Sequence, residues 1–450
     1  MRLGYREQET GDSTATGPSR RQKTECFNSV FCLLFSFILS ACGGSLPSQQ
    51  NTFPSPVAYV TAAPQAQPTA TATLAPLPTQ TVPPATAVPK KAPLDTSATV
   101  GLWSDQLSAT QPFTGYLDLA QGPAAANLLQ SNPTLITLNA RQFHVGFSTN
   151  YTEVKASNPT WLLYDAKKNI AFSTREDEPL VNIGNEDVKN QIAMNVANWI
   201  AEKSYDGIIL NDVGVDLIRG SLSPIFTGTK AFTEDQRKDA VENLLRAIRG
   251  AAPDKIIIVG GYAWRDGATF AARTEEASSL SAILDGVYMD EFVRSPISKT
   301  SEFRSETNWK RDVDYLSAIS QDNRIVLVTT RLLGAGLTPE LTRQWLNYSV
   351  ASYLLGKNGA KTYFQFDSGS LTYLSEPELT APLGAPAEAY SELTDGLYAR
   401  KFANGLVLVN PTNDTLEGEL DADYKTLSGN PVTGKKIKMT AHTGIILLKL

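Results

Sequence analysis

The chain has 450 residues, a formal net charge of −6 and only three cysteines and two histidines. That length is enough for two or three folding units. The mildly acidic balance, with no basic run in the folded part, argues against a nucleic-acid partner, and so few histidines and cysteines argue against a zinc site.

At the N-terminus, Arg20, Arg21 and Lys23 precede an apolar run from Phe27 to Ala41. The run is short for a membrane span and right for the core of a secretory signal. It ends Leu39-Ser40-Ala41-Cys42-Gly43, which resembles the bacterial lipobox: small residues admit a signal peptidase, and the Cys42 sulfur takes a diacylglyceryl group. An ordinary cleaved signal or an anchor helix is the alternative. On the lipobox reading, residues 1–42 are a lipoprotein signal, Cys26 and Cys32 leave with it, and Cys42 anchors the protein to the outer face of the cell membrane. The mature fold then has neither disulfide nor thiol. Residues 43–95 are rich in Pro, Thr, Ala and Gln and nearly uncharged, so they read as a disordered, extended spacer.

After the spacer, short apolar runs alternate with amphipathic stretches, the pattern of repeated βα units. Strands are expected at Val100–Trp103, Leu135–Asn139, Trp161–Tyr164, Gly207–Leu210, Ile256–Gly260, Gly286–Met289, Ile325–Thr329 and Thr362–Phe366. Val188, Ile192, Val196 and Ile200 share one helical face. Thr233 with Gln236 forms a capping box before the next helix, and Gly250 stops it. Thr338-Pro339 opens a further helix, closed at Gly356. Eight strands make a (β/α)8 TIM barrel over 96–390 the economical fold, within an α/β class. A doubly wound open sheet is the rival, but no glycine-rich phosphate turn follows the first strand. Residues 391–450 read as short alternating strands and turns, a small all-β sandwich.

The stretch Tyr205–Val213 (YDGIILNDV) recurs in outline as Leu284–Phe292 (LDGVYMDEF). In a parallel barrel the Asp-Gly pair would feed the bottom of a strand and the polar pair would emerge at the top, where barrel enzymes keep their chemistry. The expected strand tops collect Trp103 and Asp105, Asn139 and Arg141, Tyr164 and Asp165, Asn211 and Asp212, Tyr262 and Trp264, Asp290 and Glu291, Arg331, and Gln365 and Asp367. Aromatic rings stack on sugar faces while carboxylates and amides hold hydroxyls, so such a mouth suits a polyhydroxylated ligand and needs no cofactor or metal. Two facing carboxylates are the equipment of a glycosidase: one protonates the glycosidic oxygen, and the other attacks the anomeric carbon or activates water. A lone acid is more often a helix cap or an ion-pair partner; acids at several strand tops weigh against that reading. His144 follows the second expected strand, where it either lines the cleft or serves a structural role.

The segments NPTWLLYDAKKN, YDGIILNDVG and NGLVLVNPT together resemble the glycoside hydrolase barrels related to the endo-polygalactosaminidases. The resemblance implies a barrel acting on a polysaccharide or oligosaccharide, with the acid ending strand four as one catalytic carboxylate and a strand-six acid as its partner. By the pattern of that family, D-G-φ-φ-L-D is the usual strand-four motif, which implies a carboxylate five positions after the motif aspartate. This chain has Asn211 there and Asp212 one place later. Since alternate strand residues face opposite ways, a one-residue slip would aim Asp212 elsewhere unless a bulge restores it. The expected catalytic pair is Asp212 and Glu291, with Asp290 in reserve and the remaining strand-top residues binding substrate. A non-catalytic saccharide-binding barrel and a structural envelope protein are the alternatives.

Overall fold

A computed structural model describes residues 100–105, 117–122, 128–129, 132–142, 151–172, 179–202, 204–211, 213, 225–260, 282–295, 298–321, 324–334, 337–369 and 372–450. Eight parallel strands close into a barrel: β1 Gly101–Ser104, β2 Leu119–Gln121, β3 Ile136–Gln142, β4 Gly207–Asn211, β5 Ile256–Gly260, β6 Gly286–Met289, β7 Ile325–Arg331 and β8 Thr362–Asp367. They run around the ring as β1-β8-β7-β6-β5-β4-β3-β2. Alternation sorts their side chains. Leu138, Ile209, Ile258, Tyr288, Leu327 and Tyr363 fill the barrel, while Ile208, Leu210, Ile257, Val259, Val326 and Phe364 face the helices.

One expected strand is replaced by another. Trp161–Tyr164 makes only isolated antiparallel bridges, Leu162 to Val181 and Tyr164 to Ile170 and Phe226, in an excursion between β3 and β4. The second barrel strand is Leu119–Gln121, three residues long. The two differences cancel, so Gly207–Asn211 and Gly286–Met289 are still strands four and six.

The Asp-Gly repeat has a structural cause at the bottom of the barrel. The Asp206 carboxylate accepts the Thr137 N–H at 2.9 Å, and the Asp285 carboxylate accepts the Ile257 N–H at 2.9 Å. Asp118, just before β2, does the same for Leu102 N–H at 2.8 Å. Strands two, four and six are thus each preceded by an aspartate that grips the backbone of the odd-numbered strand before it. Arg249 joins Asp285 at 2.6 Å. Burial pushes the Asp118 carboxyl up, against the Leu102 N–H and Lys357, which favour its charge. The glycines have a different cause. A Cβ on Gly207 would stand 2.3 Å from the Ile256 carbonyl oxygen, and one on Gly286 would stand 2.2 Å from that of Ile325. Gly207→Ala or Gly286→Ala should therefore destabilise by about 1–3 kcal/mol through overpacking. Chemical denaturation checks this, and Gly250→Ala, a helical position with open space around its Cβ, is the control, expected to hold stability or raise it by up to about 1 kcal/mol.

Helices α1 Glu186–Glu202, α2 Glu234–Ala251, α3 Glu306–Ser320 and α4 Pro339–Gly356 pack outside the ring. The Thr233–Gln236 capping box is formed in both directions. Thr338 caps α4 through Leu341 N–H. A helix begins at the end of the barrel where the preceding strand finishes, so the start of α3 lies at the same rim as the ends of the strands.

The C-terminal strands are β9 Ser391–Thr394, β10 Leu397–Phe402, β11 Gly405–Asn410, β12 Leu416–Glu419, β13 Tyr424–Thr426, β14 Lys436–Met439 and β15 Thr443–Lys449. A five-stranded antiparallel sheet, β9-β10-β11-β15-β13, shares a core with the β12-β14 pair through Leu397, Leu406, Leu408, Ile437, Met439 and Leu447. Barrel and sheets belong to one compact unit. Gly444 lets β15 press against α4; a Cβ there would stand 2.6 Å from both Ala351 Cβ and the Asn347 carbonyl. Tyr398 donates to Glu306 at the start of α3 at 2.6 Å.

Candidate active site

The strand ends build two adjoining groups. In the first, Arg331 at the end of β7 stands between two carboxylates. One Nη is 2.7 Å from Asp367 on β8; the other pairs closely with Asp105 after β1 and donates to the Tyr288 hydroxyl at 2.7 Å. Gln365 donates to Asp105 at 2.7 Å, and the Asp367 carboxylate also accepts the Gly369 N–H at 3.0 Å. Burial pushes the Tyr288 hydroxyl well up, and Asp105 adds to this, against Arg331. Burial opposes the charge on Arg331, but Tyr288, Asp105 and Asp367 outweigh it, so it stays a cation. This network closes the barrel interior beneath the rim. The Asp105 and Asp367 carboxylates are already committed to donors within it, so they suit wall or floor duty better than proton transfer.

The second group is the end of strand six. The register pairs Gly286 with Ile325 and Met289 with Val328. A regular continuation would bring the Glu291 N–H to the Thr329 carbonyl, yet the Phe292 N–H takes that bond, at 3.0 Å. The chain therefore carries one extra residue after Met289. The strand ends at Met289, and Asp290 and Glu291 form the turn that carries this extra residue. Alternation holds only within a pleated strand, so it no longer separates these two acids. Asp290 lies close enough to the barrel interior to oppose ionisation of Tyr288. The Glu291 carboxylate stands 3.8 Å from Arg304, in the loop that enters α3. Across the rim, Asn211 is inward: its Oδ1 is 3.1 Å from where a Gly260 Cβ would lie. The bare Gly260 leaves that space to the amide.

Several expected ligand contacts fall elsewhere. Trp103 is wholly buried, donates to the Val328 carbonyl at 3.1 Å and meets Tyr288 edge-on. It is a plug in the barrel, with no face open for a sugar. Asn139 pairs with Ile208, an outward position, and its Oδ1 accepts the next backbone N–H, of Ala140. Arg141 likewise lies outside the ring, its guanidinium over the Trp199 ring on α1. Tyr164 and Asp165 belong to the excursion after β3. The Tyr164 hydroxyl ties back to the Pro159 carbonyl, and Asp165 caps a tight turn by accepting from the Lys167 and Asn169 N–H groups. Those two hydrogen bonds hold the Asp165 carboxyl below its usual range, with the Asn169 bond the larger cause. Each of these residues has a local partner that explains it without substrate. Asp212, Tyr262, Trp264, His144 and Cys42 lie outside the described residues.

Tyr288, Arg304 and Asp312 were not among the expected site residues. Tyr288 carries a faint sequence signal, a polar-tipped ring at an inward position of the apolar run. Arg304 and Asp312 carry none, because they reach strand six from a loop and a helix. Among the described residues no group of three or more His, Cys, Asp or Glu side chains could hold a metal ion.

A closed parallel barrel with acids, an amide and a guanidinium at the carboxyl ends of its strands is a TIM barrel with the furnishings of an enzyme mouth. The family model described as hypothetical glycosyl hydrolase family 15 matches residues 137–406, more than half of the chain, and the protein belongs to that family. No curated protein matches it. Among solved structures, Amy13B of Eubacterium rectale is similar over 80% of this chain and 98% of its own, at 10% identity and a TM-score of 0.46. The glycoside hydrolase domain of PelA from Pseudomonas aeruginosa is similar over 62% of this chain and 97% of its own, at 12% identity and a TM-score of 0.40. A pullulanase from Anoxybacillus sp. LM18-11 is similar over 73% of this chain and 54% of its own, at 11% identity and a TM-score of 0.47.

Proposed function

We propose that this protein hydrolyses glycosidic bonds of a polysaccharide outside the cell, held to the membrane by lipid on Cys42. The observation that carries the catalytic reading is the turn after Met289 that sets Asp290 and Glu291 side by side at the rim of a glycosyl-hydrolase-family barrel. Glycoside hydrolysis asks for one carboxyl that donates a proton to the leaving oxygen and one carboxylate that attacks the anomeric carbon or activates water. Strand six supplies one of them. Glu291, with the Arg304 guanidinium 3.8 Å away, takes the role of nucleophile or base in this reading, with Asp290 next to it in the same turn. The second carboxylate is assigned from sequence to Asp212 at the end of strand four.

The test is a screen of neutral and amino-sugar polysaccharides for release of reducing ends by the full chain in detergent. With a responsive glycan, Glu291→Gln and Asp212→Asn should each lower turnover at least about 100-fold. Loss in Asp290→Asn with full turnover in Glu291→Gln would move the role to Asp290. Unchanged turnover in all three variants would sink the carboxylate assignment. Asn211 favours a second reading. An inward amide where the family resemblance implies a carboxylate fits a barrel that binds saccharide without cutting it, and binding of a glycan with no reducing ends released would decide for that.

The anchor is checked separately. Cys42→Ser should move the protein from the membrane fraction to the soluble fraction, and a variant that remains in the membrane fraction removes the lipid-anchor reading.

A further inference from the structure

The end of strand six is held in a shape that its own residues disfavour. Val293 is β-branched, wholly buried and left-handed, with φ of 52°, a region such side chains rarely enter. Backbone strain of this kind persists only where the surroundings over-determine it, and it gathers at functional sites. Part of the restraint comes from β7: besides the bond from the Phe292 N–H, the Thr330 hydroxyl donates to the Phe292 carbonyl at 3.0 Å.

A further part comes from one carboxylate on a helix. Asp312 of α3 is wholly buried, and its Oδ2 accepts the Val293 N–H at 3.1 Å. The same oxygen is 2.5 Å from Nη1 of Arg304. The other Nη of Arg304 donates to the Glu291 carbonyl at 2.9 Å and stands 3.8 Å from the Glu291 carboxylate. Asp312 thus holds the segment at both ends, directly at Val293 and through Arg304 at Glu291.

Resting on the catalytic reading of strand six, we infer that Asp312 is a positioning residue. Buried behind the rim, it fixes where the Glu291 carboxylate stands by orienting Arg304 and clamping the strained turn, and it does not touch substrate. A buried acid that served stability alone would have no reason to share one oxygen between the guanidinium on Glu291 and the backbone two residues beyond it.

Asp312→Asn keeps an acceptor for the Val293 N–H and removes the charge that orients Arg304. Arg304→Gln breaks the relay from the partly exposed end and is the second variant if Asp312→Asn does not fold. On the glycan found by the screen, each should lower kcat about 100-fold, the loss that a misplacement of about 1 Å produces, with KM within about twofold. The decisive arm is a double-mutant cycle with Glu291→Gln. Positioning predicts that Asp312→Asn costs almost nothing further once Glu291 is gone, whereas a purely structural role gives losses that multiply. The carboxyl 13C resonance of Glu291 is a readout that needs no turnover, and it should move in both variants. An unmoved Glu291 resonance, or multiplicative losses in the cycle, overturns the inference. A moved resonance in a protein that cuts no glycan supports the positioning while rejecting the catalytic reading.

Discussion

Arg331→Met is expected to lower the free energy of unfolding by about 3–5 kcal/mol, the usual cost of deleting one partner of a buried charge pair. Arg331 is not a surface ion-pair partner. Its side chain is 18% exposed, and those of Asp105 and Asp367 are 10% and 1% exposed. Methionine matches the volume but leaves two carboxylates in the barrel mouth with no cation between them. Gln365 can still serve Asp105, and the Gly369 N–H can still serve Asp367, so the loss is mainly the uncompensated charge. Arg331→Lys should recover only part of it, because an ammonium cannot reach both carboxylates with a planar fork. Denaturant unfolding of the three proteins checks this. A methionine variant within about 0.5 kcal/mol of the parent, the spread of an ordinary surface substitution, would show that the network holds little.

How much of this was legible in the sequence depends on which physical rule was being read. Hydrophobic runs bounded by turns found seven of the eight barrel strands, because a strand buried on both faces must be apolar throughout. The rule failed at Leu119–Gln121, where three residues are too short to show a run. It also failed at Trp161–Tyr164, an equally apolar stretch that folds against its own excursion. The Asp-Gly repeat located strands four and six correctly, yet its aspartates are backbone clamps at the bottom of the barrel and its glycines are close-approach points. Side-chain direction was the weaker part. Asn139 fell on the wrong side because alternation was not counted from the barrel interior. Trp103 looked like a sugar platform because sequence does not say how deep below the rim a ring sits. At strand six the ambiguity between Asp290 and Glu291 comes from continuing a regular register past Met289, and the extra residue of the turn there has no sequence signal of its own. Arg304 and Asp312 were out of reach for another reason. Their importance lies in contacts with a strand from which they are separated by a loop and a helix turn, and no local pattern records that.

The second large effect lies at the junction of barrel and C-terminal sheets. Arg400→Met should destabilise by about 3–5 kcal/mol, because several buried carbonyls lose their donor together and each orphaned group costs about 1–3 kcal/mol. Arg400 on β10 is 3% exposed. Its guanidinium donates to the carbonyls of Leu354 and Leu355 in the last turn of α4, to those of Lys357 and Glu388, and to Asn358 Oδ1 at 2.7 Å. The last carbonyls of a helix have no partner within it, and the negative end of the helix dipole favours a cation there. One side chain therefore caps α4 and fastens the sheet to it. Burial draws the Arg400 pKa down to about 10, which still leaves it charged at neutral pH, so the carbonyls face a cation throughout the physiological range. Arg400→Lys should retain only part of the stability, since three donors on one nitrogen cannot satisfy five acceptors spread over two segments. Thermal and denaturant unfolding of both variants measure this. If the junction is what Arg400 secures, hydrogen exchange in Arg400→Met should quicken first in the last turn of α4 and along β10, while β3 to β6 exchange at parental rates. Equal quickening throughout the barrel would instead mean that sheets and barrel unfold as one unit, with Arg400 contributing to the whole and not to the seam.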